Sequence, residues 1–261
     1  MRACAKVRTS SASNKSSSSS GVCTTIRRAS LTIKAVLFDV WGTLMHADIE
    51  HPGEILQRIL ASLGISRSLD EIKTAWLNAE KEAKDTNLLS LFGRLPPEEY
   101  WHKWNSLVLK HLRIDENAEF VGTVHSRWND TVSFTLYPEA KDVLMELQRR
   151  GLKLGLITHA YAEDIHFYLE RTGLEKTTFD IVVGVDAAEC MKPHPAIFQY
   201  ALGKLNVKPE EAMFVGDDVE LDYNGAKNIG MNALLIDRTE KQKQKDLRTI
   251  KDLKEILSHI N

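Results

Sequence analysis

The chain has 261 residues, of which 43% are hydrophobic and 27% charged, a composition typical of a globular protein with a sizeable core. No apolar run approaches the roughly 18 residues that a membrane span needs, so we expect a soluble protein. The formal net charge is −2, and Cys4, Cys23 and Cys190 lack metal-binding spacing or a disulfide framework, which favours a reducing compartment.

The first 30 residues differ in composition from the rest of the chain. They contain the tract "SSASNKSSSSSG" and six Lys or Arg but no Asp or Glu. A basic, Ser-rich and acid-free segment predicts a transit peptide, for a plastid rather than a mitochondrion. A disordered tail or a misplaced start codon on a cytoplasmic protein is the alternative. We assign residues 1–32 to a disordered leader.

The residues after the leader are acidic. They include 28 Lys or Arg and 36 Asp or Glu, a net charge of −8. This balance argues against a nucleic acid or an anionic membrane as a partner, although a small anion could still bind in a local pocket.

The first apolar segment, "IKAVLFD", begins at Ile33 and predicts a buried strand. About ninety residues then follow that carry helical patterns. Four helices are predicted in the segments "EILQRILASLG", "SLDEIKTAWLNAEKEAK", "PPEEYWHKWNSLVLKHL" and "DENAEFVGTVHSRW". The second opens with a capping box of Ser68 and Glu71, the third with a proline pair and the fourth with an acidic cap. Such an insertion predicts a small helical domain that covers the carboxyl edge of the sheet.

Four more apolar segments follow the insertion: "LKLGLIT", "FDIVVGV", "AMFVGD" and "NALLID". Helical patterns alternate with them, from Pro138 to before Gly151, from about Ala162 to Gly173, directly after "KPHP", and over about 222–229. Short, almost continuous apolar strands between helices are typical of a parallel sheet that is covered on both faces. The predicted fold class is therefore α/β, with a doubly wound parallel sheet.

Polar side chains follow four of the predicted strands. They are Asp39, Thr158, Lys192 in the loop after the third strand, and Asp217 together with Asp218 and Asp222. Each alone has an ordinary structural explanation, such as a turn cap, a strand end, a solvated lysine or a helix cap. In open α/β sheets ligands bind outside the carboxyl ends of the strands, so four such positions around one edge predict a functional site.

The motifs "FDVWGTL", "LITHA", "KPHPAIF" and "VGDDVELDYNGAKNIGM" resemble the four motifs of the haloacid dehalogenase (HAD) superfamily of hydrolases. The resemblance covers Lys34 to about Asp237, and the helical insertion is similar to that family's C1 cap. It implies a catalytic core formed by residues 33–46 and 134–261, with a helical cap at 47–133.

The resemblance also implies a reaction. Asp39 would attack phosphorus and form an aspartyl-phosphate that water hydrolyses, which splits a difficult displacement into two steps. Thr158, His159 and Lys192 would bind the phosphate of a small-molecule substrate, and the backbone N–H groups of the turn after Asp39 would complete the cradle.

The implied cofactor is Mg²⁺. Its ligands would be Asp39, the main-chain carbonyl of Trp41, Asp217 and Asp222. We favour Asp222 over Asp218 because "GDDVELD" fits a G-D-x4-D spacing, although Asp222 could instead orient Lys192.

Trp41 departs from the family's phosphatases, which commonly carry there an Asp that protonates the leaving group. An indole cannot exchange a proton in the working pH range. His46 and His159 are candidate replacements. Family members that displace halide from 2-haloacids carry an aromatic residue at this position, so a dehalogenase is the alternative enzyme. A degenerate site in a binding or regulatory protein is the third hypothesis. The full acid set of the fourth motif favours the phosphatase.

Trp76, Trp101, Trp104 and Trp128 all fall in the predicted cap. Aromatic residues at helical spacing are more often packing residues than ligand contacts. We therefore assign most of the four to the interior of the cap and expect one or two to line the substrate pocket.

Overall fold

The structure is a computed structural model that describes residues 32–114, 117–244 and 246–260, without the side chain of residue 176. The leader predicted over residues 1–32 lies outside this description, apart from Thr32, and stays a prediction. Among the described residues no helix combines the length and the apolar character that crossing a membrane requires.

A parallel sheet of six strands forms the centre of the described chain, in the order β5-β4-β1-β6-β7-β8. The strands, in chain order, are β1 Ala35–Phe38, β2 Met45–Ala47, β3 Phe134–Leu136, β4 Lys153–Ile157, β5 Ile181–Val183, β6 Ala212–Gly216, β7 Asn232–Ile236 and β8 Thr249–Ile250. The five predicted strands are confirmed. The two-residue strand β8 was not predicted, because a strand of that length shows no pattern in the sequence.

Helices cover both faces of this sheet. They are α1 Gly53–Ser62, α2 Leu69–Asp85, α3 Pro97–His111, α4 Ala118–Thr131, α5 Ala140–Arg149, α6 Ala162–Arg171, α7 Val185–Ala188, α8 Pro195–Leu205 and α9 Gly225–Asn228. In β1, Val36 and Phe38 pack in one buried cluster with α5 and α6, whereas Ala35 and Leu37 pack in another with α8. Because neighbouring side chains of a strand point to opposite faces, this arrangement confirms the doubly wound α/β fold.

The helices α1 to α4 form the cap, a separate helical layer inserted between β2 and β3. Its own core contains Leu60 of α1, Ile72 of α2 and Leu109 of α3. The predicted capping box is present: the Glu71 N–H donates to Ser68 Oγ at 3.2 Å, and the Ser68 N–H donates to Glu71 Oε2 at 2.7 Å.

The acidic cap expected for α4 is wrong. The side chain of Asn117 caps this helix, with its Oδ1 accepting from the Phe120 N–H at 2.9 Å. Asn and Asp are equally good at this position, so composition alone did not distinguish them.

An antiparallel ribbon that was not predicted joins the two layers. In it, β2 pairs with β3, with His46 opposite Thr135. The boundary predicted between residues 46 and 47 falls within β2, and the one between 133 and 134 falls at the start of β3. The chain therefore leaves the sheet and returns to it through adjacent strands, which places the cap over the ends of β1 and β4.

The last predicted helix begins three residues earlier than expected. Residues Val219–Asn224 form a wide π-type turn before α9, and Asp218 caps it by accepting from the N–H groups of Glu220 and Leu221 at 2.8 and 2.7 Å. Such turns are frequent at functional sites. Short 3₁₀ helices complete the description at Leu88–Leu91, Lys176–Thr178, Pro209–Glu211 and Leu253–Ser258.

Candidate active site

The carboxyl ends of three neighbouring strands hold the predicted polar residues. Asp39 directly follows β1, and its N–H donates to the carbonyl of Val215 in β6 at 2.9 Å. Thr158 directly follows β4 and donates its N–H to Val183 of β5 at 3.0 Å, while Asp217 follows β6. The sheet itself therefore fixes these residues along one edge, as the strand-end pattern predicted.

Lys192 reaches this edge from the loop between α7 and α8. Its Nζ lies 2.6 Å from Asp39 Oδ1 and 2.7 Å from Asp222 Oδ1, and its side chain is only 3% exposed. Burial would lower the pKa of its ammonium group, but the two carboxylates outweigh that effect and raise it. Lys192 is therefore held as a cation between the predicted nucleophile and Asp222.

Three carboxylates converge beside this single ammonium group. Oxygen atoms of Asp39, Asp217 and Asp222 all lie within 4.8 Å of one another. Burial raises the pKa of Asp39 to about 7, against the opposing effect of Lys192. Although the residue as a whole is exposed, the loss of water around its carboxylate and the nearby Asp222 raise the pKa of Asp217 to about 6. When all three are ionised, the carboxylates and the one lysine leave two negative charges unbalanced, and hard oxygen ligands of this kind suit Mg²⁺.

The two acids left open by the sequence have different contacts. Asp218 is used as the cap of the π-type turn. Asp222, which is buried, accepts from Lys192 with one oxygen and from the Asp218 N–H with the other, at 3.1 Å. The alternative in which Asp222 orients Lys192 is thus visible in the structure, and its predicted role as a metal ligand stays a prediction.

Two buried hydroxyl groups at this edge lack a hydrogen-bond partner among the described residues. They are Thr43 Oγ1, in the turn after β1, and Thr158 Oγ1. Leaving a buried polar group unsatisfied costs about 1–3 kcal/mol. A bound anion beside Thr158 would relieve that cost, which agrees with the phosphate contact implied for this residue.

Gly42 is required by the close approach of the turn to Asp217. Its φ of +74° lies in the left-handed region, and a Cβ at this position would collide with Asp217 Oδ2. A glycine here lets the turn after Asp39 lie directly against the carboxylate cluster.

The indole of Trp41 packs into an aromatic group. Its ring centroid lies 4.6 Å from that of Phe134 and 5.4 Å from that of Tyr168. The indole therefore joins the turn after β1 to the ribbon strand β3 and to α6, a packing role that explains a large apolar residue at this position. Its implied main-chain metal contact stays a prediction.

The two histidines proposed as replacement acids differ in their surroundings. His159 directly follows Thr158, and its Nε2 is buried with no partner among the described residues. Burial, together with the charge of Lys192, lowers the pKa of His159. His46 is exposed in β2, with its ring 5.2 Å from that of Tyr137. The lowered pKa keeps His159 neutral near pH 7 and makes it a poor proton donor, and its Nε2 is left available as an acceptor.

Arg238 is a site residue that the sequence reasoning missed. Its Nη2 donates to the carbonyl of Thr43 at 2.8 Å and its Nη1 to Glu139 Oε1 at 2.7 Å. The guanidinium also lies 3.4 Å from the ring centroid of Tyr137. Arg238 thus fixes the turn after Asp39, the predicted nucleophile. It follows the strand segment "NALLID" by one residue, so the strand-end rule could have found it.

A cavity of about 520 Å³ lies between the cap and the sheet edge. Its lining includes Trp41, Gly42 and His159, which lie beside the carboxylate cluster. All five tryptophans of the chain line it: Trp41, Trp76, Trp101, Trp104 and Trp128. The four tryptophans of the cap pack in or against the cap interior, as predicted, and more of them line the cavity than the one or two expected, because the helix faces that pack the cap interior also form the cavity wall.

The doubly wound sheet, the carboxylate cluster at its edge and the inserted cap together define a capped hydrolase with a core of the α/β class. The family model of the haloacid dehalogenase-like hydrolases matches residues 33–230, and the chain belongs to this family. The expectation of a hydrolase of the HAD superfamily with a C1-type cap is thereby confirmed.

Individual relatives have different activities. The chain is 30% identical to the glyceraldehyde 3-phosphate phosphatase of Methanopyrus kandleri, over 80% of this chain and 86% of that protein. It is 27% identical to an (S)-2-haloacid dehalogenase of Xanthobacter autotrophicus, over 80% and 77%. The crystal structure of a HAD phosphatase from Thermococcus onnurineus aligns with a TM-score of 0.58 and 28% identity, over 87% of this chain and 97% of that one.

Proposed function

We propose that this hydrolase is a Mg²⁺-dependent phosphatase that cleaves a small organic phosphate through an aspartyl-phosphate on Asp39. The observation that carries the proposal is the group of three carboxylates around Lys192, which leaves two negative charges unbalanced. A carboxylate that attacks carbon gains nothing from a divalent cation, whereas a carboxylate that attacks a phosphate dianion needs one.

The proposed metal ligands are Asp39 and Asp217, with Asp222 and the main-chain carbonyl of Trp41 beside them. A bound Mg²⁺ would polarise the phosphoryl oxygens and offset the charge that builds up on them. Lys192 adds a positive charge against Asp39, and Thr158 Oγ1, which is buried without a partner among the described residues, supplies a donor for a phosphoryl oxygen.

Proton transfer is the step that Trp41 affects. Trp41 cannot protonate the leaving group. His159 has a lowered pKa because it is buried, and its Nε2 is free of partners among the described residues, so it can accept the proton of the attacking water in the second step. The relative from Methanopyrus kandleri and the neighbour from Thermococcus onnurineus, both phosphatases by name, support phosphoryl chemistry for this site.

A 2-haloacid dehalogenase is the second candidate. Trp41 favours it, since halide leaves without a proton, and the relative from Xanthobacter autotrophicus is such an enzyme by name. The carboxylate cluster argues against it.

One assay separates the two functions. Phosphate release from acetyl phosphate, aryl phosphates and sugar phosphates is measured with and without Mg²⁺, beside chloride release from 2-chloropropionate. We expect phosphate release only with Mg²⁺, its loss in Asp39→Asn, and full retention in the control Asp142→Asn, which changes an exposed acid on α5. Chloride release without metal would replace the phosphatase by the dehalogenase.

A further inference from the structure

The cavity above the carboxylate cluster is lined by an unusual concentration of aromatic side chains. The ring of Trp76 lies 5.2 Å from that of Trp104 and 6.3 Å from that of Trp128, measured between centroids. These separations are those of rings in contact, and the three indoles form a continuous wall on α2, α3 and α4. At about 520 Å³ the cavity falls within the range of about 300–1,000 Å³ found for drug-sized ligands. It is larger than a three-carbon leaving group needs.

The position of the cavity determines which part of a substrate enters it. Trp41, Gly42 and His159 line the cavity, and the nucleophile Asp39 and the phosphate-binding Thr158 lie within two residues of them in the chain. A phosphate held at the sheet edge therefore directs its ester group between the tryptophans.

Several polar groups that line the cavity are bonded to one another. The carboxylate of Asp164 accepts from the side chains of Asn129 and Trp101. The hydroxyl of Tyr168 donates to Asn129 Oδ1 at 2.5 Å. Two polar atoms of lining residues are buried without a partner among the described residues: Trp104 Nε1, which has no acceptor, and His159 Nε2 beside the carboxylate cluster. Other polar side chains also line the cavity, namely those of His46, Glu50, His51, Asn105 and His125. Between them the indoles offer flat apolar surface and one unpartnered N–H donor, which suits an aromatic ring system with an oxygen substituent.

A second, independent observation points to the same class of substrate, one with an aromatic leaving group. Trp41 cannot donate a proton, His46 is exposed in β2, and His159 is less suited to donate one, so in this proposal the leaving oxygen departs as an anion. A phenol, like the tyrosine side chain, has a pKa of about 10, whereas an alkanol has one close to that of water, about 15.7. An aryl oxygen leaves without an acid far more readily than an alkyl oxygen.

Given the phosphatase function proposed above, we infer that the substrate is the phosphate monoester of an aromatic hydroxyl compound of about two fused rings. An oxygen of Asp39 bonds to phosphorus while the P–O(aryl) bond breaks, and its electron pair stays on the aryl oxygen. That phenolate takes its proton from solvent. Water then attacks phosphorus and gives a proton to His159. The Asp39–phosphorus bond breaks, and the carboxylate and inorganic phosphate are released.

The test compares four esters at saturating Mg²⁺: 2-naphthyl, phenyl, benzyl and glycerol phosphate. Phenyl and benzyl phosphate both carry a ring but differ in leaving-group pKa, so we expect kcat to be about 10²–10⁴-fold higher for phenyl phosphate. Naphthyl and phenyl phosphate share the leaving-group type but differ in ring area, so we expect KM to be about tenfold lower for naphthyl phosphate. Glycerol phosphate is expected to be the poorest substrate.

Variants test the role of the wall. We expect Trp76→Leu and Trp128→Leu each to lower kcat/KM for 2-naphthyl phosphate about tenfold relative to that for acetyl phosphate, and Trp76→Phe to restore part of the loss. Phe120→Leu is the matched control, since Phe120 packs against the cap interior and is not part of the cavity wall. Titration calorimetry of the metal-free protein with 2-naphthol gives a readout apart from catalysis, and the same Trp variants are expected to weaken this binding.

The outcomes separate the two proposals. If acetyl phosphate is hydrolysed but naphthyl and glycerol phosphate have equal kcat/KM, or if 2-naphthol does not bind, the aryl phosphate inference is wrong and the phosphatase function stands. If Mg²⁺ supports phosphate release from none of the esters and not from acetyl phosphate, both are wrong.

Discussion

The sheet edge and the cap cavity meet at Trp41 but differ in the kind of side chain that forms them and in how closely those side chains pack. At the sheet edge, charged groups touch, with Lys192 2.6 Å from Asp39 and 2.7 Å from Asp222. In the cavity, aromatic rings enclose an open volume of about 520 Å³. The edge is placed by strands that the core holds rigid, whereas the cavity depends on how four helices lie over it. The comparison assigns the proposed reaction and the proposed choice of substrate to separate layers of the molecule.

The largest effect is expected at the centre of the sheet edge. Lys192→Met leaves Asp39 and Asp222 buried without their cation, a change that destabilises proteins by about 3–5 kcal/mol. We expect kcat for acetyl phosphate to fall by about 10³-fold or more, because the phosphate then meets an uncompensated negative charge. Denaturant unfolding and phosphate release measure the two effects.

The exposed Lys204→Met on α8 is the control and is expected to match the unsubstituted protein in both measurements. A Lys192→Met protein of full activity would show that the buried lysine has no part in the reaction.

Trp41→Asp tests the point where the two layers meet. The new carboxyl group supplies the acid that the indole lacks, so we expect hydrolysis of benzyl phosphate to rise by about 10²-fold relative to phenyl phosphate. Stability is expected to fall, because the ring contacts with Phe134 and Tyr168 are lost.

Trp41→Phe keeps an aromatic ring without adding an acid and serves as the comparison. Equal acceleration of both esters by Trp41→Asp would defeat the explanation in terms of a missing acid.

The sheet edge was largely predictable from the sequence, and the reason is physical. A strand end fixes the next residue to one edge of a parallel sheet, so the sequence alone could place Asp39, Thr158 and Asp217 at that edge. The contact of Asp222 with Lys192 was foreseen only as an alternative, because two acids four residues apart share similar spacing.

The cavity was not predictable in the same way. Helical periodicity shows that Trp76 and Trp104 lie on inward faces but not whether an inward face meets another helix or an open volume. The link between Arg238 and Thr43 joins residues 195 positions apart, and no local pattern records such a contact. The ribbon of β2 and β3, three residues in each strand, was likewise too short to show alternation.

Mg²⁺ binding is expected to compete with protons at the sheet edge. The pKa of Asp39 is raised to about 7 and that of Asp217 to about 6, in both cases chiefly by burial. A metal binds the ionised carboxylates, so Mg²⁺ affinity should fall as the pH drops below 7, by up to about tenfold per pH unit for each proton displaced.

The stability of the metal-free protein should change in the opposite direction. Because these folded-state pKa values are raised, the folded protein binds more protons than the unfolded chain between about pH 4 and 7, so stability should fall as the pH rises through that range. Saturating Mg²⁺ should remove this fall. Calorimetric titration at pH 6, 7 and 8 measures the affinity, and an affinity independent of pH would contradict the assignment of Asp39 and Asp217 to the metal.

The smallest effect is expected from Arg238→Lys, which keeps the charge but not the planar donor group. A lysine cannot bond to Glu139 and the turn carbonyls together, so the turn after Asp39 should lose its fixed position. We expect kcat to fall by about tenfold for all esters alike, with little change in KM for naphthyl phosphate, because the cavity wall is untouched. Arg149→Lys, at an exposed ion pair with Glu146, is the control. An effect confined to aryl esters would show that Arg238 affects substrate selection. The assignment of reaction and substrate selection to separate layers would then be wrong.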